Sequence, residues 1–366
     1  MNKLLSDEAY IQLTIELAKK GQGKVSPNPL VGAVIVKNGT IIGVGYHARF
    51  GENHAEINAI NNCKDTPEGS ILFVNLEPCV HFGKTPPCTN SIIAAKISKV
   101  VIGTLDPNPL VAGKGVEKLK TAGIKVVTGV LEKECIELNK FFFKYIKEKK
   151  PYINLKIAQT LDAKIADNQF QSKWITSAEA RTCVHEMRND YDAVLIGSNT
   201  VRIDNPELSV RFSEGRNPKR IILNKNLDLD INRKIFQNSD NNTIIVCSNK
   251  NIEKTKKIAQ YTNLGIKLLF VEENNKGNLK LNKILKNLYD LGINSVMVEG
   301  GSRIFSSFVK KQLFDELSVF ISSKLLGTGI NAFSNIGINK LSDALNLRLI
   351  SINTLGDDVL LIYKRI

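Results

Sequence analysis

The residues best suited to chemistry in this chain lie in the stretch LEPCVHFGKTPPC, residues 76–88. Its two cysteines, Cys79 and Cys88, are separated by eight residues that include a histidine, a lysine and a threonine. A structural zinc hairpin usually holds its cysteines two to four residues apart. On spacing alone, the stretch could be a metal site, a disulfide loop or two unrelated thiols.

A third candidate metal ligand, His54, lies upstream in the sequence HAE. One histidine and two thiolates would leave the fourth tetrahedral position of zinc open for water, as in catalytic zinc sites. Glu56 could stay off the metal and move a proton between that water and a leaving amine. Zinc deaminases carry H-x-E followed by P-C-x-x-C. This chain has HAE and PC but a longer Cys–Cys gap, so we predict a zinc deaminase. The alternative is a helical histidine and two stray cysteines.

The first part of the chain, which contains His54, Cys79 and Cys88, has the pattern of alternating strands and helices. These elements would position the three side chains. The pattern predicts a helix over 6–20 and then a hairpin whose Asn38-Gly39 turn needs positive φ. It also predicts helices that begin at His54 and at Pro78-Cys79, where the helix dipole favours a thiolate. A helix over 131–150 would lead out of this α/β layer fold and end at Pro151.

The second part of the chain is rich in short apolar, β-branched runs, from YINLKIAQTLD at residue 152 to LSVFISSKLLG at residue 317. Such runs are typical of a mostly parallel sheet that is buried on both faces. The stretch SVMVEGGSRIFSSF, residues 295–308, predicts a strand, two glycines and a helix. Its backbone amides and helix dipole could bind a phosphate. The alternative is a helix that packs tightly on a sheet.

Composition limits the broad class of the protein. The chain has 366 residues, 43% apolar and 23% charged, which is ordinary for a globular protein of two or three domains. Six cysteines without a signal peptide favour metal binding or catalysis over a disulfide scaffold. No apolar run is long enough to cross a membrane, so we expect a cytoplasmic protein. The charge of +14 fits nucleic acid or anionic substrates, but no basic helix or aromatic-basic motif is present.

Five motifs together resemble the bifunctional riboflavin-biosynthesis deaminase/reductase family: SPNPLVGAVIV, GYH, HAE, LEPCVHFGKTPPC and DPNPLVAGKG. The resemblance covers essentially the whole chain, and the long Cys–Cys gap is characteristic of that family. One departure is Ser26, where members often carry a histidine. The resemblance implies a cytidine-deaminase-like three-layer α/β domain over residues 1–147. It also implies a dihydrofolate-reductase-like α/β domain over residues 148–366.

For the first domain the resemblance implies deamination of 2,5-diamino-6-ribosylamino-4(3H)-pyrimidinone 5′-phosphate. One Zn²⁺ would be bound by His54, Cys79 and Cys88, and Glu56 would carry protons. The base and the ribose phosphate would be held by five residues: Asn28, His47, His81, Lys84 and Thr85. Asn28 and Asn108 could instead serve turn formation, since N-P favours turns. His47 could instead be a satisfied core histidine.

For the second domain the resemblance implies NADPH-dependent hydride transfer to ribose C1′, which converts the ribosyl group into ribityl. The residues implied for NADPH are Ala158, Trp174, Thr200, Asp204, Gly301, Ser302, Arg303, Ile304, Phe305, Ser306 and Ser307. Those implied for the substrate are Ser172, Arg188, Leu208, Arg211 and Glu299. Arginine suits a phosphate because its planar fork binds in a bidentate manner. Lys164 and Glu299 are the candidates for orienting the sugar and handling protons.

We expect the partner to be a small phosphorylated pyrimidine, and we expect binding to neither nucleic acid nor a membrane. We also expect a homo-oligomer. Two other function classes compete with this prediction. A deaminase of nucleic-acid bases would fit the positive charge, but not the Cys–Cys gap or the polar clusters of the second half. A non-enzymatic zinc module in an interaction protein would not explain the open ligand position or Glu56.

Overall fold

The computed structural model consists of two compact units, Met1–Lys149 and Lys150–Ile366. The structure describes residues 5–82, 86–211, 215–238 and 240–366. Lys84 and Thr85, which we predict to bind substrate, therefore lie outside the described residues. Among the described residues, no helix combines the length and the apolar character that a membrane span requires.

The first unit is a five-stranded sheet with helices on both faces. Its helices are α1 (Asp7–Lys19), α2 (Ala55–Asn61), α3 (Cys88–Ala94), α4 (Lys114–Thr121), α5 (Glu132–Leu138) and α6 (Lys140–Glu148). Its strands are β1 (Gly32–Lys37), β2 (Thr40–Tyr46), β3 (Ile71–Leu76), β4 (Lys99–Thr104) and β5 (Lys125–Thr128). They are arranged in the order β2-β1-β3-β4-β5, in which β1 is antiparallel to β2 and β3, while β3, β4 and β5 are parallel.

The predicted hairpin is confirmed. Asn38 has φ 51° and Gly39 has φ 77°, so both turn residues occupy the left-handed region that a tight hairpin turn demands.

The predicted three-layer arrangement is confirmed as well. One face of the sheet packs on α2, α3 and α4 through residues such as Ala59, Ile92 and Leu119. The opposite face packs on α1 and α5.

The predicted helix over 131–150 is wrong in one respect, because the structure breaks it into α5 and α6 at Asn139. This residue has φ −106° and ψ 23°, outside the helical region. Its side chain is turned inward and hydrogen-bonds to the backbone of Leu30. A contact made 109 residues away in the sequence therefore interrupts a segment whose local pattern favours one helix.

The second unit is built on a nine-stranded sheet. Its helices are α7 (Ala178–Asp190), α8 (Ser198–Asp204), α9 (Thr255–Thr262), α10 (Leu281–Asp290) and α11 (Ser302–Lys310). Its strands are β6 (Tyr152–Gln159), β7 (Lys164–Ala166), β8 (Ala193–Gly197), β9 (Lys219–Leu223), β10 (Thr243–Ser248), β11 (Lys267–Val271), β12 (Ser295–Val298), β13 (Glu316–Ile321), β14 (Ile330–Asn331), β15 (Leu347–Leu355) and β16 (Asp358–Arg365). The sheet order is β11-β10-β9-β8-β12-β6-β13-β16-β15, and β14 pairs with β7 separately.

The prediction of a mostly parallel sheet is confirmed for the seven strands from β11 to β13 in the sheet order, which are all parallel. The last two strands, β16 and β15, are antiparallel. β16 runs antiparallel to both β13 and β15. β15 lies at the edge of the sheet and is largely exposed, so its sequence LRLISINTL lacks the continuous apolar run that marks the buried strands. Central β6 shows the other extreme, because Ile153, Leu155 and Ile157 lie in the main core of this unit.

Candidate active sites

Three metal-ligating side chains meet in the first unit. His54 caps α2, Cys79 follows β3 in a non-helical segment, and Cys88 begins α3. The prediction that Cys79 opens a helix is wrong, since eight residues separate it from the start of α3 at Cys88. His54 Nδ1 lies 3.2 Å from Cys88 Sγ and 3.6 Å from Cys79 Sγ.

The arrangement of this cluster fits a tetrahedral zinc ion. The three candidate ligand atoms lie within 4.8 Å of one another. Ligands at 2.0–2.3 Å from a tetrahedral zinc ion would stand about 3.5 Å apart. Hydrogen bonding with Cys88 lowers the pKa of Cys79 to about 4, although burial opposes this, and His54 lowers it further. Cys79 is thus favoured in the thiolate form that binds metal.

Glu56 lies in the first turn of α2, two residues after His54, and is almost completely buried. Burial raises the pKa of its carboxyl group, while the neighbouring His54 opposes the shift. A carboxyl group whose pKa is raised by burial is suited to exchange a proton during a reaction. The side chain is therefore held, in a water-poor setting, beside the metal-ligating cluster.

A cavity of about 200 Å³ adjoins this cluster. Its walls include three of the residues predicted to bind substrate, namely Asn28, His47 and His81. Asn108, which the sequence leaves open between turn formation and substrate binding, also lines the cavity. The structure therefore brings two of the three ligands, His54 and Cys79, together with Glu56 and these polar side chains to one space of the first unit.

His47 uses both ring nitrogens within the protein. Its Nδ1 lies 3.0 Å from the carbonyl oxygen of Asn53, and its Nε2 lies 3.1 Å from Nδ2 of Asn28. Because a carbonyl only accepts, the hydrogen belongs on Nδ1, and Nε2 accepts from the Asn28 amide. Burial lowers the pKa of His47, which keeps the ring neutral. In this arrangement His47 fixes the orientation of the Asn28 amide at the cavity wall.

Sequence reasoning missed Asp106 and Phe142, which also line the cavity. Burial raises the pKa of Asp106 to about 6, although the N–H of Asn108 lowers it by donating to the carboxylate. Asp106 precedes the second PNP motif, and that repeated motif was the available signal. Phe142 is one of three consecutive phenylalanines in an amphipathic helix, so nothing local distinguished it.

The loop that carries Asp106 and Asn108 is held by a single buried carboxylate, Glu77. Its two oxygens accept backbone N–H groups from Asp106, Gly113, Gly115 and Val116 at 2.9–3.2 Å. A Cβ atom on Gly115 would lie 2.4 Å from the carbonyl oxygen of Pro78, so only glycine fits there. Glu77 thereby orders the cavity wall next to Cys79.

In the second unit, Arg188 and Glu299 form a bidentate ion pair. Arg188 Nε and Nη2 donate to the two carboxylate oxygens of Glu299 at 2.6 and 2.8 Å. Their side chains are only 11% and 9% exposed, so the pair is shielded from water and salt. Burial alone would raise the pKa of Glu299, but Arg188 and then Lys156 outweigh it and hold the carboxylate ionised.

Lys156 on β6 is a further charged residue at this site, and sequence reasoning missed it. Its ammonium nitrogen lies 5.3 Å from the ring centroid of Phe320. Burial lowers the pKa of Lys156, while Glu299 opposes the shift. The available signal was a lysine inside YINLKIAQ, a strand predicted to be buried on both faces, because a charge is costly there.

Two residues of α7 hold the segment that contains Leu208 and Arg211. The backbone N–H of Arg211 donates to His185 Nδ1 at 3.1 Å, and Arg188 Nη1 donates to the carbonyl oxygen of Ser209 at 3.3 Å. Burial, Arg188 and Arg211 lower the pKa of His185 to about 4, so it accepts this bond as a neutral ring. Of the predicted substrate residues, Arg188, Glu299 and this segment therefore lie together.

Part of the predicted NADPH site, Gly301 and the start of α11, lies at a close-packed glycine turn. A Cβ atom on Gly300 would lie 2.9 Å from Cα of Ile196, and Gly301 has φ 60° where it caps α11. Thr200 Oγ1 lies 3.8 Å from the position that a Cβ on Gly301 would take. This turn, which has no room for a side chain at Gly300 and precedes the N-terminus of α11, fits a phosphate of the cofactor. Asp204 lies on the same helix as Thr200, α8, and its carboxylate accepts a hydrogen bond from Ser172 Oγ at 3.2 Å.

The remaining predicted residues lie on separate elements. Ala158 follows Lys156 on the same face of β6 and is half-buried. Trp174 is 63% exposed, and the guanidinium carbon of Arg181 lies 4.4 Å from its ring centroid. Lys164 lies on β7, and its ammonium donates to Asn331 of β14 at 2.6 Å. Its catalytic role stays a prediction.

Comparison with known protein families gives two matches that follow each other along the chain. Residues 5–104 match the family described as the cytidine and deoxycytidylate deaminase zinc-binding region. Residues 151–361 match the family described as the RibD C-terminal domain. The two matches fall in the two compact units.

Full-length relatives are also found. The chain is 45% identical to riboflavin biosynthesis protein RibD of Aquifex aeolicus over 360 residues, which covers 98% of both chains. It is 36% identical to RibD of Escherichia coli over 371 residues, covering 98% of this chain and 99% of that one. Among solved structures it is similar to a diaminohydroxyphosphoribosylaminopyrimidine deaminase/5-amino-6-(5-phosphoribosylamino)uracil reductase of Thermotoga maritima. That match has 41% identity and a TM-score of 0.87 and covers 98% and 99% of the two chains.

Proposed function

This chain belongs to the RibD family of bifunctional riboflavin-biosynthesis enzymes, and from that premise we propose which of its residues carry out each reaction. The enzyme is a zinc hydrolase and an NADPH-dependent oxidoreductase. It deaminates 2,5-diamino-6-(5-phosphoribosylamino)pyrimidin-4(3H)-one and then reduces the ribosyl side chain. The product is 5-amino-6-(5-phosphoribitylamino)uracil.

The two reactions are assigned to the two parts of the chain. Residues 1–147 carry the deamination and residues 148–366 carry the reduction. The zinc-binding match over 5–104 and the RibD C-terminal match over 151–361 support this division. The three-ligand cluster of the first unit and the buried ion pair of the second unit support it further.

In the deaminase, His54, Cys79 and Cys88 hold zinc, which when bound supplies a Lewis acid and an activated water. Glu56 takes a proton from the attacking water and delivers it to the amine, which leaves as ammonia. A carbonyl then stands where the amino group was. Burial of Glu56 beside the three ligands is the observation that carries this assignment.

The pyrimidine is held by the polar wall of the cavity. Asn28, fixed by His47, faces the ring substituents together with Asp106 and Asn108, which the Glu77-bound loop presents. His81 is available to the ribose phosphate at the exposed end of the cavity. Lys84 and Thr85 remain proposed phosphate contacts because of their place in the motif.

In the reductase, NADPH supplies the hydride that reaches ribose C1′. The glycine turn at Gly301 and the N-terminus of α11, residues Ser302 to Ser307, bind a cofactor phosphate, and Arg211 binds the 5′-phosphate of the substrate. Lys156 donates a proton to the ribose ring oxygen as the ring opens, and the Glu299 carboxylate, itself paired with Arg188, favours the charged ammonium. Lys164 is the alternative donor.

Trp174 provides a direct test of the NADPH site, because it is the only tryptophan among the 366 residues. Its exposed ring, packed on Arg181 on one side, is expected to contact the cofactor. Titration with NADPH should therefore quench the tryptophan emission and reach saturation. Free tryptophan titrated in parallel corrects for light absorbed by NADPH. A change no larger than that control would remove Trp174 from the site.

We further propose a homo-oligomer that assembles through β15. This edge strand contains no proline and a single charged residue, Arg348, and it exposes Leu349, Ile350 and Ile352. Ile352→Lys should lower the mass measured by light scattering toward the 40.6 kDa of one chain. Leu341→Lys, at a 92% exposed position outside any strand, is the matched control. A wild-type mass of one chain would contradict the proposal.

We propose the cytoplasm as the compartment of this enzyme and a small phosphorylated pyrimidine as its partner. A reducing compartment keeps Cys79 and Cys88 available as thiolate ligands, and both are free thiols here.

A further inference from the structure

The break between α5 and α6 places a buried amide against the loop that carries Asn28. Asn139 is 3% exposed. Its Oδ1 accepts the backbone N–H of Leu30 at 2.7 Å, and its Nδ2 donates to the carbonyl oxygen of Leu30 at 2.9 Å. One side chain thus satisfies both polar groups of a loop residue, as a partner strand would.

A second buried amide holds the same loop from the sheet. Asn75 of β3 donates from Nδ2 to the carbonyl oxygen of Leu30 at 2.9 Å, and its Oδ1 accepts the N–H of Gly32 at 2.8 Å. The Leu30 carbonyl is therefore shared by two side chains, from β3 and from the start of α6. Asn28 lies on this loop and lines the cavity. Its position therefore depends on the hydrogen bonds that Asn139 and Asn75 make to Leu30.

The helix that Asn139 begins also contributes a wall of the cavity. Phe142, one helical turn after Asn139, is half-buried and lines the same space as His54 and Glu56. The next residue, Phe143, is buried and anchors the helix, with its ring centroid 6.4 Å from that of Phe142. Asn139 therefore positions two parts of one cavity: the loop that carries Asn28 and Leu30, and the start of α6, which carries Phe142.

We infer that Phe142 is a substrate-contacting specificity residue of the deaminase and that Asn139 is its positioning residue. This rests on the proposed function and deepens it: the ligand is a planar aminopyrimidine ring, which an aromatic side chain can contact by face or edge. Both residues lie beyond 5–104, the stretch matched by the deaminase zinc-binding family. The first unit thus completes its substrate cavity with a helix that is outside that stretch.

The test measures ammonia release against substrate concentration with the full, zinc-loaded chain. Phe142→Leu keeps apolar bulk but loses the aromatic face, so KM for the diaminopyrimidine should rise about 10-fold while kcat changes less than about 2-fold. Phe142→Tyr keeps the ring and should restore a KM near that of wild type. Phe141→Leu is the matched control, since Phe141 is adjacent in sequence and is not part of the cavity wall.

Asn139→Ala tests the positioning role. It removes both bonds to Leu30, so kcat/KM for deamination should fall about 10- to 100-fold. Zinc content and NADPH oxidation with the deaminated pyrimidine, measured on the same preparation, should stay unchanged and show that the chain is folded. Asn139→Asp keeps the acceptor for the Leu30 N–H but loses the donor, and an intermediate kcat/KM is expected.

The outcomes separate this inference from the function on which it rests. An active wild type with an unchanged KM in Phe142→Leu would overturn the role of Phe142. A loss of zinc and of NADPH oxidation in Asn139→Ala, parallel to the loss of deamination, would reduce Asn139 to a general structural residue. A zinc-loaded wild type that releases no ammonia would instead overturn the proposed deamination itself.

Discussion

Replacement of Glu56 by glutamine lowers the rate of ammonia release by about 10²- to 10⁴-fold, while the protein keeps its zinc. Glutamine has nearly the shape of glutamate, so α2 and the neighbouring His54 are expected to stay in place. It cannot accept or deliver a proton, however, and the buried setting of residue 56 offers little water as a substitute. Single-turnover measurement of ammonia, with elemental analysis of zinc, gives both quantities on one sample.

The contrast with a ligand variant makes this result specific. Cys88→Ser should lose zinc and deamination together, because a hydroxyl is a poor ligand beside Cys79 and His54. Cys63→Ser is the matched control, since Cys63 is half-buried and its thiol donates to the carbonyl oxygen of Ala59 at 3.3 Å. It should retain full zinc. A Glu56→Gln protein that deaminates at nearly the wild-type rate would exclude Glu56 as the proton carrier.

Replacement of Lys156 by methionine lowers kcat for NADPH oxidation by about 10²- to 10⁴-fold, on the scale of a lost general acid. Methionine fills a similar volume on β6 but carries no proton. Burial lowers the pKa of Lys156, so in the wild type the protonated ammonium is lost at lower pH than for an exposed lysine. Activity should therefore fall on the alkaline side in the wild type, and this limb should be absent in the variant.

Lys164→Met decides between the two lysines. Lys164 donates to Asn331 on the surface of the second unit, so we expect its removal to change kcat much less than removal of Lys156. The opposite ranking would assign proton donation to Lys164. Ammonia release from the diaminopyrimidine should be the same in both variants, because each change lies in the second unit.

The sequence predicted what depends on local motifs. The α/β class and the Asn38-Gly39 hairpin follow from residue types at short range, while His54, Cys79 and Cys88 follow from a motif that spans 34 residues. The structure brings those three side chains within 4.8 Å of one another. Glu56 could be placed because its spacing from His54 is itself part of the motif.

Features that depend on distant contacts could not be predicted in this way. The helix break at Asn139 exists because of a bond to Leu30, and the local pattern 131–150 contains no helix breaker before Pro151. Lys156 was visible as a charge in an apolar strand, yet only the fold shows that Glu299 and Arg188 lie near it. β15 was missed because an exposed edge strand has no continuous apolar run to mark it.

The hydrogen bonds between Asn139 and Leu30 have a practical consequence for expressing the deaminase as a separate gene fragment. A fragment that stops at residue 104, where the zinc-binding match ends, would keep His54, Cys79, Cys88 and Glu56. It would nevertheless lack Asn139, so the Leu30 amide would lose its acceptor, and one wall of the cavity would be missing. Any gene fragment meant to yield an independent deaminase should therefore run through the last residue of α6, Glu148.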